Sequence, residues 1–213
     1  MKPLNILVAF ECSGKVRDAF RRLGHDATSL DLQKDYSGTI GRRHLVVDFS
    51  DYIDLCHKRG RIYDIIIMHP PCTALACSGN RWYGKGQPRH QERLEALEQT
   101  KEWWTRAKNL APHVALKNPV GVLWNFLGIE PNYVQPWQFG HGETKRTGLW
   151  LHNLPELQPT NVVEGREQRV WKMPPSEERE RLRSETYQGI ADAMAQQWSE
   201  YILTNREEVN DND

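Results

Sequence analysis

The sequence has no net charge of either sign and no long apolar run, and both absences narrow the classes of protein it can encode. Its 28 Lys and Arg residues balance 28 Asp and Glu residues, so no overall basic field draws the chain onto nucleic acid. Any contact with nucleic acid must then come from a local patch. No apolar stretch reaches the length of about 18 residues that predicts a membrane-spanning helix.

Cysteine is scarce, and the start of the chain lacks the pattern of a secretory signal. The four cysteines show no spacing typical of a disulfide framework, which favours a reducing compartment. The N-terminal segment has neither the apolar core nor the small-residue cleavage site of a signal peptide. We therefore expect a cytoplasmic protein that makes no contact with a membrane.

Short apolar segments alternate with helix-like segments, and this alternation predicts an α/β fold. The length of 213 residues suits a single catalytic domain over residues 1–203, followed by a polar tail over 204–213. The predicted strands are 4–10, 27–30, 44–47, 64–68, 114–116 and 147–151, and the predicted helices are 16–23, 91–109 and 186–201. This order is typical of a mostly parallel sheet with helices on both faces, which binds ligands beyond the carboxyl ends of its strands.

The first strand, turn and helix form a candidate site for a nucleoside cofactor. The turn contains Cys12, Ser13 and Gly14, and the helix behind it would present backbone N–H groups to a ligand. Asp31 follows the next strand, where an acid binds ribose hydroxyls in dinucleotide folds, and Asp48 could reach an adenine amino group. An acid after a strand is more often a turn or helix-capping residue. The single glycine favours a mononucleoside-type cofactor over a dinucleotide.

The most distinctive segment ends the fourth predicted strand with a histidine, two prolines and Cys72. Consecutive prolines fix φ and remove two backbone donors, so they hold the next side chain stiffly at the edge of the sheet. A thiol beside a cofactor pocket is a candidate nucleophile, whereas the alternative is a buried, inert cysteine. A zinc deaminase would need a second cysteine where Leu75 stands and an upstream H-x-E. His69, Cys72 and Cys77 lack a fourth ligand, so we predict no metal site.

A local basic patch lies in residues 78–93, which contain four cations, two aromatic residues and three glycines, with no acid before Glu92. We predict that Arg81, Lys85 and Arg89 lie on a mobile loop that closes over a flipped base and its phosphates. The alternative is an ordinary solvated loop. This loop is the predicted contact with DNA.

In this order, the motifs resemble those of the DNA (cytosine-5) methyltransferases, and they are most similar to compact relatives from bacteriophage genomes. The resemblance extends from residue 4 to about residue 200. It is carried by the first turn at Phe10–Gly14, the Pro71-Cys72 pair, Lys117-Asn118-Pro119-Val120 in the place of a Glu-Asn-Val motif, Lys145-Arg146 before a late strand, and Gly189-Ile190-Ala191 in the last helix.

The resemblance implies a Rossmann-like, S-adenosylmethionine-dependent methyltransferase fold and an enzyme that methylates carbon 5 of a pyrimidine. The implied catalytic residues are Cys72, which would attack carbon 6, together with Lys117, Asn118 and Arg146. S-adenosyl-L-methionine would be bound by Phe10, Cys12, Ser13, Gly14, Asp31, Asp48, Pro70 and Gly189. The implied substrate is cytosine in DNA, and protection of phage DNA from restriction is the implied role.

Two departures from the family pattern leave alternatives open. Lys117 stands where the family has Glu, and a lysine donates but cannot accept. The enzyme would then methylate cytosine with a donor alone, prefer a base with a carbonyl at carbon 4, or bind a carboxylated cofactor; the remaining pattern favours cytosine. The interval 152–185 is too short for a separate sequence-reading domain. This predicts little sequence preference, a targeting partner, a smaller substrate such as a free nucleotide, or an inactive cofactor-binding relative.

Overall fold

The computed structural model describes residues 2–38, 43–174, 176 and 178–210. Within them, seven strands form one sheet in the order β3-β2-β1-β4-β5-β7-β6. The strands are β1 (Asn5–Ala9), β2 (Asp26–Asp31), β3 (His44–Val46), β4 (Ile65–Met68), β5 (His113–Pro119), β6 (Asn132–Val134) and β7 (Thr147–His152). The first five strands are parallel, and β7 runs antiparallel between β5 and β6. The predicted fold class is confirmed.

Helices cover both faces of this sheet because successive strand residues point to opposite sides. They are α1 (Lys15–Arg22), α2 (Phe49–Lys58), α3 (Asn80–Tyr83), α4 (His90–Lys108), α5 (Leu123–Leu127), α6 (Arg169–Lys172), α7 (Arg179–Ser184) and α8 (Gln188–Asn210). Ile6 and Val8 of β1 pack on the face covered by α1 and α8. Leu7 and Ala9 pack on the opposite face, which α2 and α4 cover.

The reversed direction of β7 decides what meets at the carboxyl edge of the sheet. Pro119 at the end of β5 pairs with Thr147 at the start of β7, and Lys117 pairs with Leu149. The residues just before β7 therefore lie beside the ends of β4 and β5. The end of β4, the end of β5 and the segment before β7 therefore meet at the carboxyl edge of the sheet.

Several elements differ from the sequence predictions. The helices α2, α3, α5, α6 and α7 were not predicted. β6 was not predicted either, because a three-residue edge strand is too short to show a period of two. The segment 78–93, predicted as a mobile loop, contains a 3₁₀ turn at Cys77–Gly79, the short helix α3 and the start of α4. The last helix continues to Asn210, and an ion pair between Arg206 and Asp64 holds it to the body of the protein. No helix in the described ranges is long and apolar enough to cross a membrane.

Candidate functional site

A cleft of about 970 Å³ opens at the carboxyl edge of the sheet. Its floor is formed by residues that follow β1 and β4 and precede β7, and one wall is formed by residues of α6, α7 and the turn before α8. Connections leave β1 and β4 toward opposite sides of the sheet, and this divergence creates the crevice in which such sheets bind ligands. The volume suits a ligand of nucleoside size or larger.

Cys72 lines the cleft and is half-buried on a rigid loop. Its backbone carbonyl accepts hydrogen bonds from the N–H groups of Leu75 and Ala76, at 3.0 and 2.8 Å. The buried guanidinium of Arg93 donates to the carbonyl of Ala74 at 2.6 Å. These bonds, with the preceding prolines, fix the backbone of the turn that carries the thiol.

Asn118 fixes the same loop from the other side. Its Nδ2 donates to the carbonyl of Pro70 at 3.1 Å, and the residue is only 1% exposed. Its Oδ1 is buried with no hydrogen-bond partner among the described residues. Asn118 thus lies beneath the Pro-Pro turn and positions the segment that carries Cys72.

Two lysine ammonium groups lie on the opposite side of the cleft floor. Nζ of Lys117 donates to the carbonyl of Ser184 at 3.1 Å, and Nζ of Lys145 donates to the carbonyl of Glu185 at 2.8 Å. Both interact electrostatically with Cys72. The sequence interpretation named Lys117 and missed Lys145, although Lys145 precedes the same strand as the predicted Arg146.

Burial makes both positive charges costly. It lowers the pKa of Lys117, and burial followed by repulsion from Lys117 lowers the pKa of Lys145 to about 7. An amine with that pKa exchanges its proton readily near neutral pH. The lysine pair can therefore donate hydrogen bonds while protonated, and Lys145 can accept a proton when it is neutral.

Arg146 reaches the cleft from an exposed position. Its guanidinium stacks over the ring of Tyr133 at 4.0 Å, which holds the side chain at the rim. Three of the four predicted catalytic residues, Cys72, Lys117 and Arg146, therefore line the cleft. The fourth, Asn118, supports the turn that carries Cys72.

Two polar groups in the cleft lack partners in the described part of the chain. Burial, with the charges of Lys117 and Lys145, lowers the pKa of His69 well below its ordinary value, so its ring is neutral at pH 7. Nε2 of His69 and Oγ1 of Thr186 are buried without a hydrogen bond. Buried polar groups are normally paired, so these two atoms indicate a place for a ligand.

The first turn differs from its prediction in one respect. The carboxylate of Glu11 accepts hydrogen bonds from the backbone N–H groups of Val16 and Arg17, at 2.8 and 3.2 Å. The expectation that these groups face a cofactor is therefore wrong, because an internal anion already occupies the helix end. Burial raises the pKa of Glu11. The adjacent Phe10, Cys12 and Ser13 do line the cleft.

Asp31 and Asp48 lie after β2 and β3, as predicted, and each makes a local hydrogen bond. Oδ1 of Asp31 accepts from the N–H of Gln33 at 2.8 Å. Oδ1 of Asp48 caps α2 by accepting from Ser50 and Asp51, at 2.7 and 3.3 Å. Neither residue is among the described residues that line the cleft. Their predicted contacts with a cofactor stay predictions.

The two predicted glycines are explained by packing. Gly14 has φ of +70°, and a Cβ there would lie 2.3 Å from the guanidinium of Arg17. A Cβ on Gly189 would lie 1.9 Å from the carbonyl oxygen of Phe139. Neither glycine lines the cleft. Gly189 lets α8 approach the turn at Phe139, so a role in cofactor binding stays a prediction.

Tyr36 lines the cleft. Its loop is held to α1 by a buried ion pair that the sequence did not predict. Arg17 is fully buried within α1 and donates to Asp35 at 2.9 Å and to Ser29 at 3.0 Å. The ion pair between Arg17 and Asp35 holds the loop against α1 and so positions the ring of Tyr36.

The predicted basic loop is only partly basic in the folded protein. Arg89 forms two hydrogen bonds of 2.7 Å with Glu92 and stacks over Tyr83, and Arg93 is buried. Arg81 and Lys85 are exposed and remain available to phosphate. Two tryptophans line the mouth of the cleft from opposite sides, Trp82 at 52% and Trp171 at 74% exposed. The sequence gave no reason to separate these two from the core tryptophans.

Comparison with known proteins supports the fold. No protein-family model matches the chain, and no curated protein sequence matches it. Among solved structures, it is similar to the Entamoeba histolytica methyltransferase EhMeth, with 18% identity over 78% of this chain and 58% of that one, at a TM-score of 0.53. It is also similar to the S. pombe Dnmt2 methyltransferase, with 14% identity over 80% of this chain and 54% of that one, at a TM-score of 0.47.

The chain spans less than two thirds of the length of either structure. At these identities, the similarity to EhMeth shows that the two proteins share a fold.

Proposed function

We propose that this chain transfers a methyl group from S-adenosylmethionine to carbon 5 of a pyrimidine, with Cys72 as a covalent nucleophile. The observation that carries the proposal is the placement of Cys72 on a rigid turn, beside two lysines, at the ligand-binding edge of the sheet. The fold shared with the methyltransferase EhMeth supports it.

The residues around the first turn fit the cofactor. Phe10 and Pro70 line the cleft and provide apolar surface. Asp31 ends β2 and Asp48 caps α2 after β3, and we propose that their carboxylates reach hydroxyl or amino groups of the cofactor. The unpartnered hydroxyl of Thr186 supplies a further hydrogen bond. A volume of about 970 Å³ accommodates this molecule and a base together. When bound, the cofactor supplies an electrophilic methyl group.

Cys72 makes carbon 5 reactive. A thiolate that adds to carbon 6 of the ring converts carbon 5 from a poor nucleophile into an enamine- or enolate-like one. Lys117, which lines the same cleft, can donate to the ring where negative charge develops after the attack. Once carbon 5 carries the methyl group, its proton must leave before the thiolate can be expelled. Neutral Lys145, with a pKa of about 7, is the base suited to accept that proton.

The substrate we propose is a pyrimidine in nucleic acid. Arg81 and Lys85 can contact phosphates, and Trp82 and Trp171 can stack on neighbouring bases at the mouth of the cleft. The sequence resemblance favours cytosine in DNA. Residues of α6, α7 and the turn before α8 form one wall of the cleft. The interval 152–185 is too short for a separate sequence-reading domain, so we expect weak sequence preference or a targeting partner.

Replacement of Cys72 tests the proposal. We expect Cys72→Ala and Cys72→Ser to lower methyl transfer from labelled cofactor to pyrimidine substrates by roughly 10³-fold or more, while cofactor binding measured by calorimetry changes little. Cys77→Ser is the matched control, because Cys77 is exposed and does not line the cleft. Transfer by Cys72→Ala at the wild-type rate would show that no covalent adduct is needed.

A further inference from the structure

We infer that the base bound beside Cys72 carries a carbonyl group, not an amino group, at carbon 4, as uracil does. The inference rests on the proposed function and specifies its substrate. It is carried by the juxtaposition of two lysine ammonium groups with the nucleophile, in a part of the cleft that holds no free carboxylate.

Lys117 can only donate while it is an ammonium, because that group carries three N–H groups and no acceptor. Lys145 donates in the same way below its pKa of about 7 and is a base above it. One hydrogen of Lys117 and one of Lys145 go to the backbone carbonyls of Ser184 and Glu185. Nζ of Lys145 also lies 5.6 Å from the ring centroid of Tyr187, whereas no side-chain acceptor among the described residues takes the remaining hydrogens of Lys117. An exocyclic amino group placed there is itself a donor, so it could not accept a hydrogen bond from an ammonium group.

The acids near the lysines are already engaged. Of the described residues that line the cleft, Glu11 and Glu185 are the carboxylates. Glu11 binds the N-terminus of α1. Glu185 accepts from Arg181 at 3.3 Å and lies 3.8 Å from Lys15. Both carboxylates therefore already have donors or cations of their own, and the unpartnered polar atoms of the described cleft lining include Nε2 of His69 and Oγ1 of Thr186.

Activation of a 4-oxo pyrimidine matches this donor set. When the Cys72 sulfur bonds to carbon 6, the electron pair of the carbon 5–carbon 6 double bond is delocalised onto oxygen 4 as an enolate. An ammonium donor stabilises that charge where it develops. Carbon 5 then takes a methyl group from the sulfonium donor, its proton passes to a base, the double bond re-forms, and the carbon 6–sulfur bond breaks to return the thiolate. Cytosine would instead place the charge on nitrogen 3.

The test compares the two bases by a step that needs no methyl donor. Thiolate addition labilises the hydrogen on carbon 5, so tritium release from 5-tritiated uracil or cytosine reports attack by Cys72. The probes are dUMP and dCMP, and matched single-stranded DNA and RNA oligonucleotides that carry one labelled uracil or cytosine. We expect release from uracil to be at least about tenfold faster in whichever form is a substrate.

Variants separate the role of the lysines from a general loss of charge. We expect Lys117→Glu to raise the ratio of cytosine to uracil release, because a protonated carboxyl both donates and accepts. Lys58→Glu, an exposed lysine on α2, should leave the ratio unchanged. If Lys117→Glu does not fold by circular dichroism, Lys117→Gln should lower release from uracil.

The outcomes distinguish the two proposals. Equal or faster release from cytosine by the wild-type protein, lost in Cys72→Ala, would overturn the carbonyl preference and keep the covalent mechanism. Release from neither base, in any of the probes, would overturn both. Faster release from uracil that is also lost in Cys72→Ala supports both.

Discussion

Burial disfavours the charged form of single side chains in the cleft and shifts their pKa values. The chemistry of the cleft therefore depends on pH. Lys145 is the clearest case, because burial and the charge of Lys117 lower its pKa to about 7, whereas a solvated lysine has a pKa of about 10.4. Such a penalty is typical of functional sites. It is tolerated here because the folded core of the sheet holds both lysines at the edge.

The lowered pKa predicts how stability changes with pH. Between pH 7 and about 10 the unfolded chain keeps the proton of Lys145 and the folded protein has lost it, so the free energy of unfolding rises with pH in that window. We expect the wild type to gain about 1–2 kcal/mol over Lys145→Met between pH 7 and 9.5, after allowance for partial solvent screening. Urea denaturation measures this, with Lys58→Met as the control. A constant difference would mean that Lys145 is solvated.

Several helices and loops are positioned by polar contacts that cannot be predicted from the sequence pattern. Alternating apolar strands and a helical period predicted most of the sheet and its flanking helices, because burial on two faces leaves a clear pattern. The Pro-Pro turn predicted the rigid thiol because proline acts locally. Lys145 and the Arg17–Asp35 pair were not predictable, since contacts between distant residues leave no periodic signal.

The loop that carries Tyr36 should depend on its buried ion pair. Asp35→Ala removes one carboxylate partner of the buried guanidinium of Arg17, which keeps Asp18 and Ser29, and we expect a loss of about 1–3 kcal/mol of unfolding free energy, with weaker cofactor binding. Asp54→Ala, which breaks an exposed pair with Arg106, should cost less than about 1 kcal/mol. Chemical denaturation and calorimetry provide both measurements. Equal losses in the two variants would place Asp35 in solvent.

The same pair predicts a response to acid. Burial alone would raise the pKa of Asp35, but hydrogen bonds from Ser37 and Arg17 outweigh it and lower the pKa. The stability from this group is therefore complete above the unfolded pKa of about 3.9. It is lost as the pH falls through the lower folded value.

Close packing of α8 predicts a strong effect at Gly189. A Cβ there would lie 1.9 Å from the backbone oxygen of Phe139, so Gly189→Ala should lower the unfolding free energy by about 2 kcal/mol or more. Gln188→Ala, one residue earlier, is the control. If Gly189→Ala keeps full stability but loses cofactor affinity, the glycine contacts the cofactor and the packing explanation fails.

Over the whole molecule, equal numbers of acidic and basic residues leave only local attraction for nucleic acid. Among the predicted contacts, Arg89 is neutralised by Glu92, and Arg81 and Lys85 are the exposed cations beside the cleft. Few phosphate contacts imply a shallow dependence of affinity on salt. Most of the specificity must then come from the cleft.

We expect the double variant Arg81→Ala/Lys85→Ala to weaken oligonucleotide binding and reduce the salt slope by about 1–2, since each phosphate contact contributes about 0.9 in duplex DNA. Arg89→Ala should have a smaller effect because its charge is already paired. Lys58→Ala/Arg59→Ala, at the end of α2, is the matched control. Fluorescence anisotropy across a salt series decides the matter, and an unchanged slope in the first variant would assign the loop a structural role.

The antiparallel pairing of β7 with β5 also determines where the chain tolerates an inserted residue. The residues before β7 meet β5 only because Thr147 pairs with Pro119 and Leu149 with Lys117. A single codon inserted within β7 would turn each following side chain to the other face of the sheet and pull Lys145 out of line with Cys72. In the exposed turn at 59–60, just after α2, the same insertion would leave this strand pair unchanged. A library of one-codon insertions should therefore lose function sharply across 144–151 and retain it at 59–60.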